Sequence, residues 1–188
     1  MTNKREQIIQ AASALFERYG YHATGLAQIL ESSQAPKGSL YYYFPGGKEQ
    51  LAEEAVMYAA QRLGDQVRHA LAQQTDLVAA FSQLLEGIEN QIVTSGFKAG
   101  GPLTAISMET ATSNEPLNLA CRKGFEFIQA PITEKLRDGG FPEGEIDPFA
   151  AFIVAAIEGG TLLSRTQHSR EPFQNVTKQI LRLLRSML

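Results

Sequence analysis

Apolar residues recur at helical spacing along almost the whole of this 188-residue chain, and this periodicity constrains the fold more than any other feature. In the first segment Ile8, Ala12, Leu15 and Tyr19 follow one helical face. Similar segments follow one another, separated by glycine, proline and short polar stretches. No segment alternates long enough to predict a strand, and no fixed repeat is visible. The sequence therefore predicts an all-α chain of about nine helices.

The predicted helices form a group of short helices followed by a group of longer ones, and Pro45-Gly46-Gly47 separates the two groups. In the short group, Thr24 is expected to cap the second helix, and the third is expected to run over residues 36–44. The helices that follow the break are longer, beginning with one that starts at Lys48. We therefore expect an N-terminal domain over residues 1–47 and a larger helical domain over residues 48–188.

Composition places the chain among ordinary globular proteins, because 44% of its residues are hydrophobic and 20% are charged. Its single cysteine, Cys121, excludes an intrachain disulfide and is interpreted either as a buried apolar filler or as a thiol activated by Arg122 and Lys123. The N-terminal segment does not resemble a signal peptide. The longest apolar run, residues 149–157, is about half the length of a membrane span. We expect a cytoplasmic protein without a membrane partner.

The net charge of −3 is unusual for a protein that binds nucleic acid. Residues 1–50 carry five lysines and arginines against four glutamates, which gives +1 and leaves −4 for the remaining residues. Any nucleic acid would therefore meet a weakly basic N-terminal domain. We expect a shallow salt dependence for such binding.

Two short helices joined by a turn of about four residues follow the helix-turn-helix plan, in which the second helix enters the DNA major groove. In the second helix, Leu40 and Phe44 are four residues apart and are expected to face the core. Lys37, Ser39 and the tyrosines are then left to point outward, because three consecutive tyrosines on one helix cannot all be buried. Exposed phenol groups can donate hydrogen bonds to phosphate.

The N-terminal segment resembles the DNA-binding domain of the TetR family of repressors. The residues that carry this resemblance are Phe16, Gly20, Tyr21, Thr24, Ile29, Lys37 to Tyr41, Tyr43 to Pro45, Lys48, Glu49 and Leu51. Residues 34–36 depart from the family pattern at the turn, and Gly46-Gly47 adds one residue before the family lysine. The segments 101–103 and 114–117 resemble the LmrA and YxaF subgroup of multidrug-type TetR regulators.

The resemblance implies DNA-binding roles for particular residues. Base or near-base contacts are implied for Lys37, Ser39, Tyr42 and Gln28, and phosphate contacts for Thr24, Tyr41, Tyr43 and Lys48. Three of these positions have a plainer interpretation: Tyr43 as a packed aromatic, Thr24 as a helix cap, and Lys37 as a solvated charge.

The resemblance also implies a homodimer, since two recognition helices about one duplex turn apart would bind a palindromic operator. Its interface is expected on the two last helices. The residues assigned to it are Ala155, Ala156, Gly159, Gly160, Ile180 and Leu184. The alternative is that the penultimate helix, for which Asp147 is the predicted cap, is buried inside a monomer.

An effector pocket is expected among the central helices, where deformable methionines and flat aromatic rings suit small apolar or amphipathic ligands. The residues assigned to it are Met57, Tyr58, Phe81, Leu85, Met108, Phe125 and Phe127. Each of them could instead be ordinary core. Glu109 and Glu158 interrupt apolar stretches and are interpreted as polar anchors, as a preference for cationic ligands or as partners of arginine.

The implied mechanism is de-repression, in which the effector shifts the helix from Lys48 and changes the spacing of the two recognition helices. A helical-bundle enzyme is the competing class, but the sequence lacks a Glu-x-x-His motif, a Walker motif and a dinucleotide fingerprint. The three histidines are scattered, so no metal site or cofactor is expected. A second alternative is an architectural DNA-binding factor without a ligand.

Overall fold

The computed structural model describes residues 3–36, 38–98, 100 and 102–188. Over these residues it contains nine α-helices and no strand, which confirms the all-α prediction. The helices are α1 (Lys4–Tyr19), α2 (Leu26–Ser33), α3 (Ser39–Tyr43), α4 (Gly47–Ala72), α5 (Leu77–Thr94), α6 (Pro102–Thr110), α7 (Glu115–Asp138), α8 (Ile146–Gln167) and α9 (Glu171–Met187). A short 3₁₀ helix, Glu143–Glu145, precedes α8.

The chain divides into two compact units, and each is built from two separate stretches of sequence. The first unit comprises Met1–Arg62 and Gly101–Glu126, and the second comprises Leu63–Gly100 and Phe127–Leu188. This division differs from the expected boundary between residues 47 and 48, because α6 packs against α1 and so joins the N-terminal helices. The boundary at residue 47 remains a prediction about where the DNA-binding part ends.

The first unit surrounds an apolar centre that α1, α2 and α3 share with the start of α4. Asn3 caps α1 by accepting a hydrogen bond from the backbone N–H of Arg5 at 3.2 Å. Gly20 ends the helix with φ = +83°, a conformation that glycine adopts readily. The fully buried side chains of this centre include Ile8, Phe16, Ile29, Leu40, Phe44 and Leu51.

Helix α4 begins directly after the predicted break. Gly47 has φ = +68°, and the backbone N–H of Gly46 donates to Oε1 of Gln50 at 2.9 Å. The third helix and α4 are therefore joined by a tight turn, as the proline and two glycines predict.

The second unit has its own core, formed mainly where α5, α8 and α9 meet. Asp76 caps α5 by accepting from the N–H of Ala79 at 2.7 Å. The predicted cap at Asp147 is wrong, because the 3₁₀ helix leads into α8 and Asp147 lies inside its first turn. The buried side chains of this core include Phe81, Leu85, Ile153, Phe173, Ile180 and Leu184.

Candidate nucleic-acid interface

The turn between α2 and α3 is closed by Gln34, at the position where the family pattern has glycine. Gln34 has φ = +52°, and its backbone N–H donates to the carbonyl oxygen of Glu31 at 3.2 Å. The N–H of Ala35 donates to the carbonyl of Leu30 at 3.2 Å, which completes the helix end. A left-handed backbone is thus achieved without glycine, at a cost of about 1 kcal/mol or more.

Helix α3 is shorter than the sequence predicts. It begins at Ser39 rather than Pro36, because the N–H of Ser39 closes a turn on the carbonyl of Pro36 at 2.9 Å before the helix starts. Lys37, predicted to contact bases, lies outside the described residues. Five residues make little more than one helical turn, so α3 depends on its packing for order.

The side chains of α3 divide sharply between core and solvent. Leu40 and Phe44 are completely buried, as their spacing predicts, whereas Tyr41 is 66% exposed and Tyr42 is 80% exposed. Tyr43 is half-buried, and its ring meets the Tyr42 ring edge-on with centroids 4.9 Å apart. The plainer interpretation of Tyr43 as a packed aromatic therefore describes its ring. Two neighbouring phenols remain open to solvent on the helix predicted to enter the groove.

The predicted cap at Thr24 is wrong, because the N-cap of α2 is Gly25 and no side chain caps this helix. Thr24 is fully buried, and its hydroxyl donates to the carbonyl oxygen of Gly20 at 2.7 Å. The hydroxyl stabilises the turn after α1, and a phosphate contact by Thr24 stays a prediction. Gln28 and Ser39 are half-buried on α2 and α3, where each presents part of its side chain to solvent.

Lys48 is half-buried in the first turn of α4, with its Nζ 4.5 Å from the centroid of the Tyr21 ring. Burial lowers the pKa of Lys48, and the negative charge of Glu109 partly offsets this effect. Burial also raises the pKa of Tyr21, with a contribution from the charge of Glu49. Lys48 therefore stands among aromatic and acidic neighbours, and its charge is less available to phosphate than the sequence suggests.

Other cations of the N-terminal helices also have partners. Arg5 forms an ion pair with Glu54, and its guanidinium lies 5.3 Å from the Phe44 ring centroid. Arg18 lies over the ring of its neighbour Tyr19 at 5.1 Å. The weakly basic charge of the N-terminal helices is thus partly used within the protein.

The residues predicted to form the effector pocket are divided between the two units. Met57, Tyr58, Met108 and Phe125 belong to the first unit, and Phe81, Leu85 and Phe127 to the second. Phe81 and Leu85 are fully buried in the core of the second unit, whereas Met108 is 74% exposed. Tyr58 lines a cleft of about 320 Å³ in the first unit. These differences leave the pocket as a prediction and favour ordinary core for Phe81 and Leu85.

The predicted dimer interface requires a correction. Gly160, Ile180 and Leu184 are buried within the protomer, Gly160 against Phe173 and Val176 of α9. Ile180 and Leu184 lie four residues apart on one apolar face of α9, and this face packs α9 onto the rest of the second unit. Ala155 and Gly159 are exposed, and Ala156 is half-buried.

The exposed side of α8 carries a different apolar surface. We call it the α8 face, and it consists of Phe152, Ala155, Ala156, Gly159, Leu162 and Leu163. Phe152 and Leu163 also line a cleft of about 560 Å³ between α8 and α9, whose rim carries the polar residues Gln167, Glu171, Asn175 and Gln179. An apolar surface with a polar rim is typical of a protein interface.

Two family profiles match the chain. The family described as "Bacterial regulatory proteins, tetR family" matches residues 8–55, and "Transcriptional regulator LmrA/YxaF-like, C-terminal domain" matches residues 78–179. The HTH-type transcriptional regulator YxaF of Bacillus subtilis is 38% identical over 97% of this chain and 96% of its own length. LmrA of the same organism is 37% identical over 97% of each chain. The chain belongs to the TetR family.

More distant comparisons agree with this assignment. The HTH-type transcriptional repressor NemR of Escherichia coli K12 is 25% identical over 94% of this chain and 91% of its own length. The solved structure of reduced E. coli NemR has a TM-score of 0.82, with 20% identity and 95% of each chain covered. A TetR-family regulator from Cytophaga hutchinsonii has a TM-score of 0.84, with 18% identity over 100% of this chain and 98% of its own. These structures show the same fold, and membership of the TetR family makes this protein a transcriptional regulator and not an enzyme.

Membership of the TetR family also bears on α8. Over Glu143–Gln167, which includes α8, the described chain is long and apolar enough to cross a membrane, with a mean hydropathy of 1.6. Helices of soluble proteins also meet this criterion, and a third of the most apolar 18-residue stretch is buried inside the protomer. Family membership favours a helix that packs within the protein over one that spans a membrane.

Cys121 is buried, which raises the pKa of its thiol, and the nearby Ser107 side chain only partly opposes this effect. Burial favours the interpretation of Cys121 as an apolar filler over that of a reactive thiol.

The sequence did not predict the contact between α6 and the turn that joins α1 and α2. Oε2 of Glu109 accepts a hydrogen bond from the backbone N–H of His22 at 2.8 Å. The interruption of an apolar stretch by Glu109 was the available signal, but its partner lies 87 residues away along the chain.

Proposed function

We propose that this TetR regulator is a repressor that binds a palindromic operator as a homodimer. A small apolar or amphipathic effector releases it from the operator by binding the helical domain over residues 48–188. The DNA-binding part is residues 1–47, and the protein acts in the cytoplasm without a cofactor.

The observation that carries this proposal is the exposure of Tyr41 and Tyr42 on α3. Large aromatic rings seldom remain exposed side by side on a short helix unless they serve as a contact surface. Leu40 and Phe44 anchor the same helix from beneath. The phenol hydroxyls can donate to phosphate oxygens, and the rings can pack against sugars and bases.

The dimer part of the proposal is supported by the α8 face. Phe152, Ala156, Gly159 and Leu163 follow one line along the helix at spacings of four, three and four residues. Small residues at the centre let a second copy of α8 approach closely, while Phe152 and Leu163 would fill the space on either side. Pairing about a twofold axis would present two α3 helices to successive turns of a palindrome, about 34 Å apart.

The name of one relative supports repression as the direction of regulation. The relative NemR is named a repressor, and a repressor responds to an effector only through different affinities in its DNA-bound and released states. Met57, Tyr58 and Phe125 are half-buried in the first unit, and we propose that they contribute an apolar wall to the effector site.

Selection of bound fragments from the source genome tests the proposed function. We expect fragments that share a palindrome with half-sites about one duplex turn apart, and release of the complex by apolar compounds from a screened library. Fragments without any common sequence would point to an architectural factor, as would a specific complex that no compound releases.

Replacement of the exposed tyrosines by phenylalanine should separate their two roles. Tyr42→Phe is expected to weaken operator binding about three- to tenfold, because one hydroxyl hydrogen bond is lost. Tyr41→Phe is expected to weaken binding to operator and to scrambled duplex equally, as a phosphate contact would. Fluorescence anisotropy with both duplexes measures these effects, with Tyr19→Phe at the exposed end of α1 as the matched control. Unchanged affinity in both α3 variants would contradict the proposed contact surface.

The weak charge of residues 1–50 predicts a shallow salt dependence. Arg5 is paired with Glu54, and Lys48 is half-buried over Tyr21, so few cations per protomer remain for phosphate. We expect a slope of log affinity against log salt no steeper than about −5 for the dimer. Titrations of DNA binding between low and moderate salt measure this slope. A slope of about −8 or steeper would show that more phosphates are neutralised than the lysines and arginines of residues 1–50 can account for.

A further inference from the structure

Two polar contacts within the first unit attach one short segment to both ends of the helix-turn-helix pair. The segment is the corner between α6 and α7, residues 109–114, which we call the α6–α7 corner. Its Glu109 accepts from the backbone N–H of His22 at 2.8 Å, and its Asn114 donates from Nδ2 to Oε2 of Glu49 at 2.7 Å. His22 lies in the turn between α1 and α2, and Glu49 lies in the first turn of α4, the helix that follows α3. The corner therefore contacts the chain on both sides of the helix-turn-helix pair.

The contact at Glu109 depends on the absence of a side chain at Gly20. A Cβ atom on Gly20 would lie 1.8 Å from Oε1 of Glu109, so the carboxylate occupies the space that any other residue would fill. The same turn is also held by the Thr24 hydroxyl, which donates to the carbonyl of Gly20 at 2.7 Å. The carboxylate is thus seated against a hydrogen-bonded backbone turn.

The contact at Asn114 uses both ends of one amide. Its Oδ1 caps α7 by accepting from the N–H of Leu117 at 2.9 Å, which orients Nδ2 toward Glu49. Nδ2 of Asn118 donates to the carbonyl of Ala111 at 3.3 Å and supports the corner from within. The donor to Glu49 is therefore held by the start of α7 and is not a freely rotating surface side chain.

We propose that Glu109 and Asn114 are positioning residues, through which the α6–α7 corner fixes the orientation of α2 and α3 for operator binding. With both contacts in place, the helix-turn-helix pair moves with the corner as one body, whereas a single contact would let the pair tilt. Loss of either contact widens the range of orientations that α2 and α3 adopt. The apparent operator affinity then falls with the fraction of protein that is competent to bind. The effect on affinity rests on the proposed repressor function, whereas the effect on order does not need DNA.

The test compares variants that remove one of the two contacts with variants that keep both. Glu109→Ala removes the acceptor, and Glu109→Gln retains an acceptor for the His22 N–H. Asn114→Asp keeps the α7 cap but loses the donor and places a second carboxylate beside Glu49. Glu126→Ala, on the exposed side of α7, is the control. Hydrogen–deuterium exchange of the free full-length protein reports order in residues 22–44, and anisotropy reports affinity for the selected operator.

We expect Glu109→Ala and Asn114→Asp to raise deuterium uptake through residues 22–44 and to weaken operator binding by at least about fivefold. Glu109→Gln and Glu126→Ala should stay within about twofold of the parent affinity, with thermal midpoints in all variants within a few degrees of the parent. Unchanged uptake in both link-breaking variants would overturn the proposal, as would raised uptake with unchanged operator affinity. An equal loss of operator affinity in Glu109→Gln and Glu109→Ala would also overturn the proposal. If the parent protein has no operator, the proposed function fails, and deuterium uptake alone decides whether the corner holds the pair.

Discussion

Gly159→Arg is expected to leave the protomer folded and to make it monomeric. Gly159 lies inside α8 on its exposed side, with no heavy atom within 4 Å of the position that a Cβ would take. The substitution therefore causes no clash within the chain, and a helical glycine replaced by arginine gains helix propensity. Near a twofold axis, however, the new guanidinium would meet its own copy inside an apolar interface.

The loss of dimerisation should carry a large loss of operator affinity. Two linked DNA-binding domains bind a palindrome with an avidity that exceeds the affinity of a single domain by a factor of about 10² to 10⁴. We therefore expect operator binding by Gly159→Arg to weaken by at least about 100-fold at salt concentrations where the parent binds tightly. Sedimentation velocity measures the oligomeric state, and anisotropy measures the affinity.

The chain offers a matched control for this experiment. Gly87 is an exposed helical glycine of α5 that likewise has open space around its Cβ position. Gly87→Arg adds the same charge and the same helix propensity outside the α8 face, so it should remain dimeric and bind operator like the parent. A dimeric Gly159→Arg protein would place the interface elsewhere.

The sequence predicted the fold where the signals are local. The break at Pro45-Gly46-Gly47 was predicted, and α4 begins there at Gly47, because glycine readily takes the positive φ of +68° that this tight turn requires. The start of α3 was predicted wrongly, since proline at residue 36 suits a first helical turn, whereas here its carbonyl closes a separate turn on Ser39. Such a turn depends on how the chain leaves α2, which a single proline does not reveal.

The functional surface was less predictable, because periodicity finds an apolar stripe without saying what covers it. Ile180 and Leu184 have the expected spacing, but the protomer itself buries them. Phe152 and Leu163 carry the exposed surface instead, on a helix that is apolar nearly all round. The contact between Glu109 and His22 could not be predicted for a further reason. Its donor is the backbone N–H of His22, which any residue except proline would supply, so the residue type at position 22 does not indicate the contact.

Phe44→Ala is expected to abolish operator binding by removing the anchor of α3. Phe44 is completely buried directly after a five-residue helix, and the Arg5 guanidinium lies over its ring. Truncation of a buried phenylalanine costs about 3–5 kcal/mol of folding free energy. A helix of this length has little stability of its own, so we expect disorder to concentrate in α3 and its turns.

A comparison with the second unit distinguishes loss of the anchor from a general loss of stability. Phe81 of α5 is equally buried, and Phe81→Ala removes the same atoms from the other core, so it should cost a similar free energy of unfolding. Urea unfolding measures that cost, and operator binding is measured well below the transition. Under these conditions Phe81→Ala should retain most of the operator affinity of the parent protein, and Phe44→Ala should show no operator binding. Phe44→Leu should bind operator with much of the parent affinity. Equal losses in Phe44→Ala and Phe81→Ala would mean that α3 responds to overall stability alone, because its order would then not depend on the ring beneath it.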